Sequence, residues 1–311
     1  MAGSKRAEKN SSLKKYIVAD KYAGMTVDVY VKDVMQESAR KRQKLFFNKG
    51  IYVNGKAAHS KRVLNAGDMV AVRQFKDSSY GVTPEDGPVD VLYEDKDLLV
   101  VNKPAGMLVH PAGQTTSGTL ANYLAMYFKK KGQVVTIRAI HRLDRDTTGC
   151  VLFAKSGKIQ TELEKLLAAG QIHRGYEAVV EGTDIENKYP DGIIDAKIGK
   201  DIYHANRRMV TDKGQRAVTH FQVLAKSDKF SHLALQLETG RTHQIRVNLA
   251  YAGKPVLGDA MYGQGRGKGE KQALHAVSIE FTHPVTGEAI KVKAPRPKAW
   301  EKYINIFKRC N

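Results

Sequence analysis

Residues 141–149 read His-Arg-Leu-Asp-Arg-Asp-Thr-Thr-Gly. His141, Arg142, Asp144, Arg145, Asp146, Thr147 and Thr148 make this the densest polar stretch of the chain's apolar middle. It lies between Val134 to Ile140 and Cys150 to Ala154, both mainly apolar. Two strands joined by so polar a turn bring at least one carboxylate beside cations. By spacing alone, a structural ion-pair turn fits that pattern as well as a reactive carboxylate does.

Three further polar segments interrupt the same scaffold: NKPAGMLVHP (102–111), TGRTHQIR (239–246) and GKPVLGDAMYG (253–263). Polar loops on a rigid frame are where catalysis usually sits. Arg241 stands just ahead of a helix predicted to begin at Thr242 and to stop at Gly253. A cation beside free backbone N–H groups at a helix start suits an anion, either a phosphate or a carboxylate from another loop. Around these loops, Val91–Tyr93 and Leu98–Val101 flank 94–97 as a hairpin. Thr119 caps a helix with Leu120, Tyr123, Leu124 and Tyr127 on one face. Ser156 to Ala169 form another helix, and Leu233, Leu235 and Leu237 alternate as a strand. Helices and strands intersperse without a regular repeat, which predicts an α+β fold over a doubly wound sheet.

Composition sets the wider frame. The chain has 311 residues, 42% of them hydrophobic, enough for a core and for about two domains. The net charge is +19, which points to a polyanionic partner, nucleic acid before membrane. Residues 1–76 hold +11 of it and residues 77–311 only +8. The reading is therefore a basic tail (1–12), a small basic binding module (13–76), a linker (77–90, with two Pro and two Gly) and a larger body (91–311). Cys150 and Cys310 are the only cysteines, which excludes a disulfide framework and a Cys-rich zinc site. The ten His lack paired metal-ligand spacing, so no metal is expected. No apolar run nears the ~20 residues of a membrane span, and the N-terminus has no signal-peptide core. The expectation is a reduced, soluble, cytoplasmic monomer with no membrane partner.

In the front module, Val27, Tyr30, Val31 and Val34 share a helical face. Ser38 can cap a second helix bearing Arg40, Lys41, Arg42 and Lys44, which ends near Asn48 and Gly50. Ile51–Val53 reads as a strand, Asn54-Gly55 as a tight turn, and Met69–Val72 as a returning strand. A solvated charged face is the bland alternative. The concentration of net charge favours binding of a phosphate backbone through Arg40, Lys41, Arg42 and Lys44. Ser38 to Lys44, Gly50 to Lys56 and Gly67-Asp68 resemble the S4 RNA-binding domain. That resemblance implies structured RNA, read by shape and backbone.

The body carries a more specific resemblance. HRLDRDTTG, NKPAGMLVHP, RGYEAVVEG (174–182), LETGRTHQIRVNLAYAGKPVLGDAMYG (237–263) and ALHAVSIEFTHPVTGE (273–288) stand in the order seen in RluA-family pseudouridine synthases. Residues 91–293 are thus identified as a member of that family. The resemblance implies a catalytic domain on a mixed, mainly antiparallel sheet that turns uridine into pseudouridine without cofactor or metal. It implies ribosomal RNA, 23S above all, as partner, with transfer RNA as the other option. It places the catalytic Asp at Asp144, the active-site Tyr at Tyr176, and the Arg that pairs with the Asp at Arg241. Arg142 matches a residue that enters the vacated base stack, His141 precedes it in the RNA-facing loop, and Ile245 matches an apolar wall. Thr148 stands where Ser is usual, and Asn248 where His is common.

The chemistry agrees with that assignment. N1, C1′ and C5 are unreachable in a stacked helix, so the nucleotide must flip out. A retaining glycosidase uses two flanking carboxylates, and Asp146 is too near Asp144 in sequence to serve as the second. The alternatives are a non-catalytic RNA-binding or ribosome-assembly factor on the same fold, and a nucleoside hydrolase. Gly263 to Gly269 mimics a phosphate loop but lacks the strand before it and the helix after it, so it reads as a surface loop. Cys150 reads as a core residue.

Overall fold

Asn54 and Gly55 both take positive φ, +51° and +79°, as a two-residue hairpin turn with the twist of its strands demands. The turn joins β2 (Ile51–Val53) to β3 (Lys56–Ala57). The Asn54 side chain accepts from Met69 N–H and donates to Asp68, tying the turn to β4 (Met69–Gln74). In this computed structural model, residues 12–37, 39–74, 77–263 and 271–308 are described. The chain divides into two compact units, Met1–Asp77 and Ser78–Asn311.

In the first unit a four-stranded antiparallel sheet has the order β1-β4-β2-β3, with β1 at Ser12–Ile17. The sequence reading missed β1, because its Lys-rich stretch masks the alternation. Helix α1 (Val27–Val29) is capped by the Thr26 hydroxyl and continues as a π-helical turn, Tyr30–Val34. Val27, Tyr30 and Val31 are buried, as their spacing predicts. Helix α2 (Ala39–Phe47) carries the basic cluster. The expected cap, Ser38, and the Arg40 side chain lie outside the described residues. Lys41 pairs with Glu37 at 2.7 Å, and Arg42 Nε lies 3.4 Å from Asp28. These two cations are thus partly spent inside the unit, whereas Lys44 is exposed.

The stretch expected as a linker, 77–90, is a correction. Tyr80 O accepts from Ile137 N–H, Glu85 accepts from Gly118 N–H, and Asn122 donates to Thr83 O. Tyr80, Val82 and Val89 pack on the large core, and Asp90 already opens a strand. Pro and Gly mark irregular backbone here, and irregular backbone can still be packed.

The second unit is built on an eleven-stranded sheet. Its strands are β5 (Asp90–Glu94), β6 (Leu98–Lys103), β7 (Arg138–Ala139), β8 (Thr148–Ala154), β9 (His173–Glu181), β10 (Ile193–Lys200), β11 (Arg208–Val210), β12 (Gln215–Lys226), β13 (Phe230–Leu237), β14 (Leu274–Thr282) and β15 (Ala289–Lys293). The order is β11-β10-β12-β13-β9-β14-β8-β6-β5, with β15 beside β14 and β7 beside β8. Only the β14–β8 pair is parallel among the described strands, so the sheet is mixed and mainly antiparallel, as expected. Helix α3 (Leu120–Lys130) starts at Thr119 in a capping box, and α4 (Gly157–Ala168) is capped by Ser156. The short α5 (Ile185–Lys188) and α6 (Gln244–Tyr251) follow, and α7 (Glu301–Lys308) buries Tyr303 and Phe307 beside Trp300.

The parallel β14–β8 pair is where the polar loop 141–147 feeds into the sheet. Thr148 lies opposite His275, and Gly149 opposite Ala276. Gly149 has φ +109°, and a Cβ there would overlap the Ala276 carbonyl and backbone. Both the backbone angle and the close approach require glycine. Gly149→Ala is expected to cost about 2–4 kcal/mol of stability, as strain plus displaced backbone. Urea unfolding followed by Trp300 fluorescence checks this, and an unchanged midpoint contradicts it.

Candidate active site

Lys103 closes β6 with its side chain wholly buried. Its ammonium donates to the carbonyls of Pro104 and Met107 at 2.8 Å and of Arg145 at 2.9 Å. Three donors meet three acceptors, which satisfies a buried cation. Met107 N–H also donates to Arg145 O. The NKPAG and HRLDRDTTG segments are thereby clasped together. Burial pulls the Lys103 pKa down to about 7, against the pull of Asp146 and Asp144. From the other side, Gln272 donates to Thr147 Oγ1 at 2.6 Å, and Thr148 Oγ1 lies 2.8 Å from His275 Nδ1. Thr147 N–H closes a tight turn onto Asp144 O.

This turn presents the Asp144 carboxylate, about a quarter exposed, to a buried guanidinium. Arg246 Nη1 donates to Asp144 Oδ2 at 2.9 Å. Arg246 Nε and Nη2 donate to the two oxygens of Asp259 at 2.7 and 2.9 Å, a bidentate pair. Asp259 Oδ1 also accepts from the N–H groups of Met261 and Tyr262. Burial works against the Arg246 charge, but the hydrogen bonds and charge of Asp259, joined by Asp144, outweigh it and raise its pKa. Burial likewise opposes the Asp259 charge, and the Arg246 bonds overcome it and lower that pKa.

His243 completes the rim. It has φ +59°, left-handed for a non-glycine residue, and sets its Nε2 4.0 Å from Asp144 Oδ1. Its Nδ1 lies 2.8 Å from Tyr262 Oη, which also accepts from Arg208 N–H. The Arg246 guanidinium sits 4.9 Å from the centre of the Tyr262 ring. Burial lowers the His243 pKa, with Asp144 opposing.

Several comparisons bear on this arrangement. The family described as RNA pseudouridylate synthase matches residues 97–251. The uncharacterized RNA pseudouridine synthase YhcT of Bacillus subtilis is 38% identical over 90% of this chain and 93% of its own. The ribosomal large subunit pseudouridine synthase D of Vibrio cholerae is 36% identical over 90% of each chain, and that of Xanthomonas campestris 34% over 96% and 94%. The chain belongs to the RNA pseudouridylate synthase family. Its fold matches the solved structure of human RNA Pseudouridylate Synthase Domain Containing 4, with a TM-score of 0.57 and 24% identity over 70% of this chain and 93% of that one.

Within this synthase the sequence-assigned residues fall as follows. Asp144 forms one end of the ion-pair chain just described, with Arg246 between it and Asp259. Tyr176 is buried on β9, in one core cluster with Ile245. Burial raises its pKa, Arg174 opposing and Asp144 adding to the rise. Arg142, two residues before Asp144, is exposed. His141 is buried, and its Nε2 accepts from Leu152 N–H at 3.2 Å.

Arg241 is the correction. It is exposed, and its Nε donates to Arg216 O at 3.2 Å; the cation on Asp144 is Arg246. The helix begins at Gln244, two residues later than expected. The Gln244 side chain accepts from Arg241 N–H and Thr239 Oγ1 and donates to Val218 O. That bonding holds 239–243 as a non-helical turn and leaves Arg241 outside the helix. Asp259, His243, Tyr262 and Lys103 were also missed as individuals, although all four lie in the segments singled out. An Arg one residue past a buried Ile, inside a helix and with two acids elsewhere to hold it, was the available signal. Asn248 donates to Thr219 Oγ1 at 2.9 Å and so ties α6 to β12.

Burial, with the nearby Arg174 charge, pulls His141 down to about 3 from an ordinary 6.5. The unfolded chain therefore takes up a proton first as pH falls. The His141 contribution is complete above pH 6.5 and is lost progressively toward pH 3. Between pH 6.5 and 5 the loss is roughly 2 kcal/mol. His141→Gln is expected to flatten the fall in unfolding free energy over that window. Parallel curves for variant and wild type would contradict it.

Proposed function

We propose that this synthase isomerises uridine to pseudouridine in structured ribosomal RNA, with Asp144 as the reacting carboxylate. The observation that carries the reading is the ion-pair chain itself. A single carboxylate stands in the turn ahead of β8 with Oδ2 held by a buried Arg, while Oδ1 lies 4.0 Å from His243 Nε2. Among the described residues no second carboxylate flanks it: Asp259 is turned to Arg246, and Asp146 pairs with Lys271 at 3.0 Å. That pattern suits an isomerase better than a two-carboxylate hydrolase.

In the reaction the N1–C1′ bond breaks, C5 bonds to C1′, C5 gives up its proton and N1 gains one. Arg246 keeps Asp144 ionised and aimed while the target nucleotide occupies the site. Tyr176 and Ile245 give the pocket an apolar wall against the freed uracil, which keeps it from being lost to water. Arg142 is free to fill the stack that the flipped base leaves, partly offsetting a flipping cost of about a few kcal/mol. The basic first unit, with its S4-like sequence, supplies sequence-independent affinity for the RNA backbone through the cations of α2, of which Lys44 is exposed and Lys41 and Arg42 are partly held by Glu37 and Asp28. Ribosomal RNA is favoured because relatives that match nearly the whole chain carry the name ribosomal large subunit pseudouridine synthase. The setting would be cytoplasmic.

The test is tritium release from ribosomal RNA labelled at uracil C5 and taken from cells lacking this gene. Wild type is expected to release tritium with no free uracil, and Asp144→Asn to fall at least roughly a thousandfold. Release by Asp144→Asn at the wild-type rate would overturn the role of Asp144. Free uracil as product would overturn the isomerase reading.

A further inference from the structure

The hairpin tip between β10 and β11 carries two side chains that the site described above does not use. Ile202 and Tyr203 are each 80% exposed, whereas no other large apolar side chain described in this unit exceeds 57%. Adjacent apolar side chains left this open on a folded body mark a contact surface. The tip is also well held. Asp201 accepts from Tyr203 N–H at 2.8 Å and lies 3.3 Å from His204 Nδ1. Asp201 N–H donates to Arg207 O, and Arg207 N–H to His204 O. A loop closed on itself in this way presents Tyr203 at a defined place.

Its base rests on the candidate active site. The Arg207 guanidinium lies 5.3 Å from the centre of the Tyr262 ring, and Arg208 N–H donates to the Tyr262 hydroxyl. Tyr262 in turn touches His243 and Arg246, the two groups around Asp144. Four residues of chain from Arg207 to Tyr203 reach at most about 14 Å. The tip therefore stands within a few nucleotides of one whose sugar is at Asp144. Residues 197–216 hold six Lys and Arg against two Asp, so the surroundings suit a polyanion and not an apolar partner.

We propose that Tyr203, with Ile202 beside it, is a stacking finger for an unpaired base flanking the target uridine. The proposal rests on the reading of this protein as an RNA-modifying synthase with Asp144 at its centre. An aromatic ring on an exposed tip with cations at its base is the recurrent device for gripping a splayed base. The finger would select for sequence context by requiring a base that can leave its helix next to the target. Loss of one base–aromatic stack corresponds to roughly a five- to hundredfold fall in affinity.

Two readouts test it on the full-length enzyme with the ribosomal RNA described above. Tyr203→Ala is expected to raise KM for tritium release roughly tenfold or more with kcat within about twofold, whereas Tyr203→Phe stays at wild type. Tyr203→Trp, measured against the wild-type background of buried Trp300, is expected to lose emission when the RNA binds. Conversion by wild type with an unchanged KM in Tyr203→Ala, or with no quenching in Tyr203→Trp, overturns the finger and leaves the active-site reading standing. No tritium release by wild type overturns the active-site reading, and the finger with it.

Discussion

One guanidinium shared between two carboxylates organises the catalytic body. Arg246 comes from a helix, Asp144 from the turn ahead of β8, and Asp259 from the loop between α6 and β14. A buried cation is costly unless it is paired on all sides, and leaving one partner uncompensated costs about 3–5 kcal/mol. The arrangement is unequal. Asp259 takes two of the Arg246 bonds and two backbone N–H groups, so its acceptor capacity is filled. Asp144 takes one Arg246 bond and keeps Oδ1 for something else. The same cation thus makes one carboxylate structural and leaves the other available for chemistry.

The rest of the fold brings these three loops to one place. The parallel β14–β8 crossing, opened by the Gly149 backbone, sets the start of β8 against the segment that follows the Asp259 loop. The Lys103 ammonium locks the Asp144 turn from below through Arg145 O. Gln244 fixes the turn before α6, so that Arg246 and not Arg241 points at the acids. Lys103 and Gln244 are buried polar groups with their partners supplied, the condition under which polar networks rigidify a site.

Much of this was legible in the sequence. The β5–β6 hairpin, the Thr119 cap, the helix starting at Ser156 and the Asn54-Gly55 turn followed from local rules, because their determinants lie within a few residues of one another. The mixed sheet followed from the resemblance that five ordered motifs carry, and those motifs contain Asp144, Arg246 and Asp259. What escaped was set by long-range contacts. The start of α6 depends on a Gln side chain bonding across to β12, which no helix-start rule records. The 78–89 segment carries the Pro and Gly of a linker and packs because the core offers Tyr80, Val82 and Val89 a place. In the front unit, two of the four cations expected to face RNA meet Glu37 and Asp28, which lie near enough in sequence to have been weighed.

Arg246 and Asp259 hold Asp144 as one device. The direct measurement is a double-mutant cycle of Arg246→Gln and Asp259→Asn, read as the single-turnover rate of uridine conversion in variants shown to be folded. Each single change is expected to slow conversion at least roughly a hundredfold, and the double variant to be little slower than the worse single one. Rate losses that multiply in the double variant would mean that the two residues act independently, and that Asp259 does not work through Arg246.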